Sequence, residues 1–468
     1  MNRIFHLLLL SIIAVLPTLA QLKTKVDERF ELTSIAFRLA GAEEYTNNEV
    51  SGYISDIDNY FSKYKNHALI GYIKKIRERD EIAYNAISGS TNLLEIKKGK
   101  VQIKQGVNIA NYIKDDDRWS EVTLIEYFRL LNIFYKDTKF QHFFNTHTDF
   151  YKQTEARLDD VVSKINISWF ESFFGEPLKD PAIYASLCNG RNNYALPSSG
   201  HIDNHIEKFG IVIGCNQIDE AGIPVFDAIS LTPIIIHEFC HHFTNPLVDK
   251  YDNELISSAE KIFPYVKDQL YRVAYNTPNS IYREGFNNLF VNMYYRENPT
   301  TTDKHEIAKN ERHGFIWMER AICFMDNFYY NRKVYPYIDD FMSQLTGFLE
   351  FVSKNIETIV NEYKNKNPYV VNIFPILDSK VDSSLKEITI YFSHPMWNSF
   401  AIFPTEEEEL KIPDNNNFVW SQDRKKLIVS VSLNNNSSYG FILPKYVFQS
   451  ENAYPMLEDF HIKFKTKK

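Results

Sequence analysis

One stretch constrains this chain more than any other: Thr232-Pro-Ile-Ile-Ile-His237-Glu238-Phe-Cys-His241-His242-Phe-Thr-Asn245-Pro246. Read as a helix, it sends His237 and His241, four residues apart, out of one face a turn apart. That is the HExxH spacing, in which two imidazoles hold one side of a tetrahedral Zn²⁺ and the intervening Glu238 addresses a water on the open side. The isoleucines before His237 and the uncharged Phe239, Cys240 and Phe243 suit a helix buried beneath a cleft. Pro233 predicts the start of that helix and Asn245-Pro246 its end. The competing reading is a core helix whose two histidines are satisfied internally.

A chain of 468 residues, 44% hydrophobic and 15% aromatic, can bury one large core and a smaller one, so two or three domains are expected. A formal net charge of -8 argues against a nucleic-acid partner. Met1–Ala20 has the pattern of a secretory signal: Arg3, an apolar run from Ile4 to Leu16, and small residues before Gln21. Cleavage after Ala20 is expected, giving a secreted or periplasmic protein without a membrane span. The four cysteines, Cys188, Cys215, Cys240 and Cys323, are too few for a disulfide framework. Cys188 and Cys215 both lie in apolar, strand-like stretches where pairing is conceivable, and Cys240 reads as a small buried hydrophobe.

Helical periodicity runs from Glu31 to about Ile167, through Leu32, Ile35, Ala36 and Leu39, then Ile54, Ile57 and Phe61, then Leu124, Phe128 and Leu131. A hairpin is expected over Glu95–Ile103 with Gly99 at its turn. Ala182–Cys188 and Phe209–Cys215 read as strands placed just before the motif, where an edge strand can take up an extended peptide. Four helices are expected afterwards, over Leu255–Arg272, Ser280–Tyr295, Arg312–Tyr330 and Pro336–Ile359. Asn361–Pro368 reads as a polar linker. Short alternating strands at Glu387–Phe392, Leu427–Val431, Tyr439–Leu443 and Phe460–Phe464 then predict a β-sandwich. The acidic run Glu406–Glu409 reads as a solvated loop, and His394 as structural.

Two histidines alone bind zinc poorly, so a third protein ligand is required. A third histidine of the metzincin kind is excluded, because Thr244 and Leu247 stand where glycine and histidine are needed. Three carboxylates compete: Glu284, Glu260 and Glu319. Glu260 follows His241 with 18 residues between. Glu284 lies in Ile281-Tyr-Arg-Glu284-Gly-Phe, a segment similar to the Asn-Glu-Gly-Phe-Ala segment of aminopeptidases whose zinc has a glutamate ligand. An oxyanion donor is also needed, and His313, Tyr282 and Arg283 are the candidates.

These residues resemble a family of exported Bacteroidetes proteins of uncharacterised function with a zincin-like HExxH and a glutamate third ligand. The similarity runs from about Val26 to Glu350. It takes in Glu31-Leu-Thr-Ser-Ile-Ala-Phe-Arg-Leu-Ala40, Glu44-Tyr45, Tyr60–Tyr64 with His67, the HExxH with Asn245-Pro246, and Gly314–Trp317. At the position of Glu284 the family carries its glutamate within an Asn-Glu-x-Leu-Val-Arg-Ala type segment. Here Arg283 precedes it and Gly285-Phe-Asn follow, so the glutamate is kept while its neighbours depart. Separately, Phe392-Ser-His-Pro-Met396 and the last strand resemble bacterial Ig-like domains of the surface-layer type, without the glycine usual before their last strand.

The expected architecture is α+β. A signal segment (1–20), an N-terminal helical region (21–180), a mostly helical zincin-like core with a small sheet before the HExxH helix (181–360), a linker (361–368) and an all-β Ig-like sandwich (369–468) follow one another. The expected activity is that of a monomeric zinc metallopeptidase of the glutamate-ligand type, acting on a peptide or protein. His237, His241 and Glu284 are the expected metal ligands, Glu238 the base, and His313 and Tyr282 auxiliary catalytic groups. Two alternatives stay open: a catalytically silent binding or adhesion protein, and a hydrolase of a non-peptide, glycan-linked substrate.

Overall fold

In the computed structural model, residues 22–178, 181–196, 210–299, 306–407 and 409–468 are described. The signal segment lies outside them, as do Phe209 and Glu408. The described chain is mixed α and β, about half helical, with a β-rich C-terminal region. It divides into two compact units, residues 1–242 and 243–468.

In the first unit, strand β1 (Lys23–Val26) leads into helix α1 (Glu28–Ala40). Asp27 caps α1 by accepting the Arg29 N–H at 2.9 Å, and Gly41, at φ 85°, ends it in the left-handed conformation that glycine adopts without strain. Leu32, Ile35, Ala36 and Leu39 are all buried, as the periodicity predicts. Around α1 come α2 (Ser51–Phe61), α3 (Ala68–Asp80), α4 (Asn85–Asn92), the hairpin β2 (Leu94–Lys97) and β3 (Lys100–Ile103), α5 (Ile109–Asp115), α6 (Glu121–Asp137), α7 (Phe140–Thr146), α8 (Thr148–Val162) and α9 (Ser168–Phe174). The hairpin turns on Lys98 and Gly99, both at positive φ, the geometry that matches strand twist. Phe61 packs edge-on against Phe143 at 4.8 Å and stacks on Phe134 at 6.2 Å, so the aromatic stripes are core.

Strands β4 (Ala182–Ser186), β5 (Tyr194–Leu196) and β6 (Gly210–Gly214) complete a sheet of order β1-β4-β6-β5. The pairs β1–β4 and β4–β6 are parallel, and β5 is an antiparallel edge on β6. The expected N-terminal helical region (21–180) thus opens on a strand: Lys-Thr-Lys-Val has no apolar run, and it becomes a strand through backbone pairing with β4. Cys188 and Cys215, just past β4 and β6, are buried free thiols, so the conceivable disulfide is absent.

The HExxH helix, α10, spans Ala228–Asp249, longer at both ends than Pro233 and Asn245-Pro246 suggest. Asp227 opens it, its carboxylate accepting the N–H groups of Ile229 (3.2 Å) and Ser230 (3.1 Å). Each proline costs about 3 kcal/mol in a helix interior, yet the apolar stripe runs on past Pro246 through the buried Leu247 and Val248. Burial outweighs the lost hydrogen bonds.

In the second unit, α11 (Asp252–Tyr271) and α12 (Ser280–Glu297) take the expected places. After α13 (Glu306–Arg312), the single helix expected over Arg312–Tyr330 is instead two short ones, α14 (Met318–Phe324) and α15 (Asp326–Tyr330). Gly314, at φ 107°, makes the break. Then come α16 (Ile338–Lys354), packed on α11, and α17 (Ile356–Lys366). The expected linker is corrected here. Residues 361–366 are the last turns of α17: Tyr363 is buried, Lys364 is exposed, and Lys366 reaches the buried Glu311.

The β-rich region holds β7 (Val370–Phe374), β8 (Lys380–Val381), β9 (Glu387–Phe392), β10 (Asp414–Trp420), β11 (Lys426–Ser432), β12 (Ser438–Leu443) and β13 (Phe460–Thr466). They form sheets of order β10-β11-β9-β7 and β12-β13-β8. Ile388, Ile390, Leu427 and Val429 of the first sheet share one core with Phe441, Ile462 and Phe464 of the second. All four expected strands are present, and alternate residues of each enter that core.

Candidate functional site

Helix α10 buries its residues in pairs, Ile235 with Ile236, Phe239 with Cys240 and Phe243 with Thr244. His237, Glu238 and His241 fall between these pairs and are half-buried. Phe170 of α9 meets Phe239 edge-on at 5.9 Å, fixing the apolar side. The Nε2 atoms of His237 and His241 lie 3.0 Å apart, their rings nearly perpendicular at 85°. The same nitrogen of each ring thus points at one locus. Cys240, between them in the chain, is fully buried, and burial pushes its thiol well above the ordinary range.

Glu284 is half-buried on α12. The two residues before it anchor that helix: Arg283 pairs with Asp249 at the end of α10, and the Tyr282 hydroxyl donates to Asp252 at the start of α11. Gly285, just after it, leaves room for Phe315, whose Cδ1 would lie 3.3 Å from an added Cβ. His237, His241 and Glu284 each offer a ligand atom, and these atoms lie within 4.8 Å of one another. Among the described residues this is the one such group of three or more.

The other sequence candidates fall elsewhere. Glu260 is exposed on α11, and Glu319 is exposed and bonded to Lys366 at 2.6 Å. Tyr282 has a buried side chain, and its hydroxyl is committed to Asp252. His313 lines a cavity with Arg272, Arg312 and Tyr446, and none of His237, Glu238, His241 or Glu284 lines it. Neither Tyr282 nor His313 joins the group. The positioning partners Asp249 and Asp252 escaped the sequence reading, where acids near a helix junction look like ordinary solvated residues.

The family model described as a domain of unknown function, DUF4932, matches residues 22–347. This chain belongs to the DUF4932 family. The DUF4932 region contains the whole His237–His241–Glu284 group and ends inside α16, so the β-rich region lies outside it. No curated protein matches the sequence. Among solved structures, CopC from Methylosinus trichosporium OB3b is 14% identical, covering 21% of this chain and 93% of its own, at a TM-score of 0.17. The S-layer protein rSbsC(31-844) is 13% identical, covering 50% of this chain and 33% of its own, at a TM-score of 0.19. No helix among the described residues is long and apolar enough to cross a membrane.

Proposed function

We propose that this DUF4932 chain is an exported zinc-dependent hydrolase with a zincin-like core, acting on peptides, and that its β-rich region is an Ig-like module. The observation that carries the reading is the convergence of one atom each from His237, His241 and Glu284 within 4.8 Å. Two imidazole nitrogens and a carboxylate oxygen form a donor set suited to Zn²⁺, with three protein ligands and an open position, as hydrolytic rather than structural sites have. The metal, when bound, supplies Lewis acidity that polarises a carbonyl and makes water acidic.

The chain's own residues do the rest. Glu238 follows His237 by one residue, so its carboxylate leaves α10 about 100° round the axis. It acts as the general base that accepts a proton from the attacking water and returns it to the leaving amine. A structural zinc site would use a fourth ligand and need no such base. Arg283 and Tyr282 are positioning residues here, holding α12 so that Glu284 faces the histidines.

Metal analysis of the purified chain beside Glu284→Ala and Glu238→Gln, with a peptide-library digest, tests this. The wild type should hold about one zinc per chain. Glu284→Ala should lose most of it, whereas Glu238→Gln should keep it and lose about 100-fold or more in cleavage. Full zinc in Glu284→Ala would overturn Glu284 as the third ligand. A zinc-loaded wild type that cleaves no peptide would overturn the peptidase reading in favour of a binding protein.

A further inference from the structure

A cavity of about 390 Å³ opens in the second unit, and it shares no residue with the metal group. Its walls come from the end of α11 (Asp268, Arg272), the end of α13 and the turn after it (Arg312, His313), and the stretch joining β12 to β13 (Lys445, Tyr446). Three cations therefore face one space against one carboxylate.

Their partners are neutral. Arg312 Nη1 donates to the Gln449 amide oxygen at 3.2 Å, while Arg272 and Lys445 both lie by the Tyr446 ring, 5.5 and 5.3 Å from its centroid. Among the described residues none of the three makes a salt bridge. A second cavity of this unit, about 790 Å³, shows the contrast. Its Arg320 is bonded to Glu362 and its Lys366 to Glu311 and Glu319.

On a chain with a net charge of -8, three cations gathered against the single carboxylate of Asp268 leave a positive excess and repel one another, and an anion placed among them relieves that cost. His313 adds hydrogen bonding without charge, because burial, with the charges of Lys309 and Arg312, pushes its pKa down to about 4. Pro455 and Met456 add an apolar wall, and the volume falls in the lower part of the range of small-ligand sites.

We propose that this cavity binds an anionic group, a carboxylate, sulfate or phosphate carried on a small organic ligand, through Arg272, Arg312 and Lys445. Calorimetric titration of the full chain with sodium sulfate, sodium phosphate and sodium glucuronate, at ionic strength held constant with chloride, tests it. At least one should bind saturably at one site, and the anion preferred tells a tetrahedral group from a carboxylate. The double variant Arg272→Gln, Arg312→Gln should weaken that binding by about tenfold or more, with Arg320→Gln in the other cavity unchanged. If circular dichroism shows the double variant unfolded, Lys445→Gln alone carries the test, with about a threefold loss expected. Unsaturable heats for all three anions, or binding by the folded variant equal to wild type, would overturn the proposal.

Discussion

Glu31 has no exposed surface, and it sits where three parts of the first unit meet. One carboxylate oxygen accepts the Leu187 N–H at 2.9 Å and the other the Tyr53 hydroxyl at 2.9 Å, while Tyr151 lies 2.8 Å from that hydroxyl. Burial raises its pKa to about 7; the hydrogen bonds from Leu187 and Tyr53 oppose the rise, and the Asp27 charge adds to it. The folded chain thus holds the Glu31 proton to higher pH than the unfolded chain does. Its contribution is full below about pH 4.5 and is lost as the pH climbs through 7, at most about 3 kcal/mol in all. Glu31→Gln keeps an acceptor and cannot ionise, so urea midpoints of the variant should vary less between pH 5 and 8 than those of wild type. An unchanged slope would place the titration elsewhere. Nothing in the sequence marks this residue as buried, since an acid in the first turn of a helix is also the ordinary solvated choice.

At the scale of elements, the sheet before α10 depends on a close approach at Gly214. A Cβ there would lie 2.2 Å from the Gly190 carbonyl oxygen and 2.7 Å from that of Asn192. Both oxygens are backbone, so neither swings aside. Gly214→Ala should cost about 2 kcal/mol in denaturant unfolding. Gly71→Ala, on an open face of α3, should be neutral or stabilising by about 0.5–1 kcal/mol. A tolerated Gly214→Ala would mean that the loop before β5 does not pack as described. Elements with an apolar signature of their own were legible: β4, β6, β11 and the hairpin at Gly99 stand where their residues suggest. Those made by their neighbours were not. β1 and the asparagine-rich β10 gain strand form from β4 and β11, and the ends of α10 were misplaced because each proline reads as a boundary while the stripe beneath it continues. In the candidate site, the spacing of His237 and His241 and the surroundings of Glu284 were readable. The place of His313 was not, because it depends on where the stretch between β12 and β13 arrives.

For the molecule as a whole, the joint between α17 and β7 replaces the expected polar linker. Asn367 is buried and its amide donates to the Pro455 carbonyl at 2.8 Å. Glu311, with no exposed surface, accepts from Lys366 at 2.9 Å and from the Tyr454 hydroxyl at 2.8 Å. Helical and β-rich parts of the second unit are thereby fastened through a buried charged cluster. Limited trypsin digestion should leave Lys364 and Lys366 uncut under native conditions, although they stand in a polar stretch just before the β-rich region. Early release of a fragment beginning at Asn367 would restore the linker reading. The other long-range fastening, β1 on β4, bears on how the chain comes to be folded. Lys23 pairs with Ala182 and Val26 with Ala185, so the first strand has no partner until all nine helices from α1 to α9 have been made. A parallel pairing across so much sequence raises contact order and slows folding. Meanwhile the exposed Lys25 on that short edge discourages pairing with a second chain.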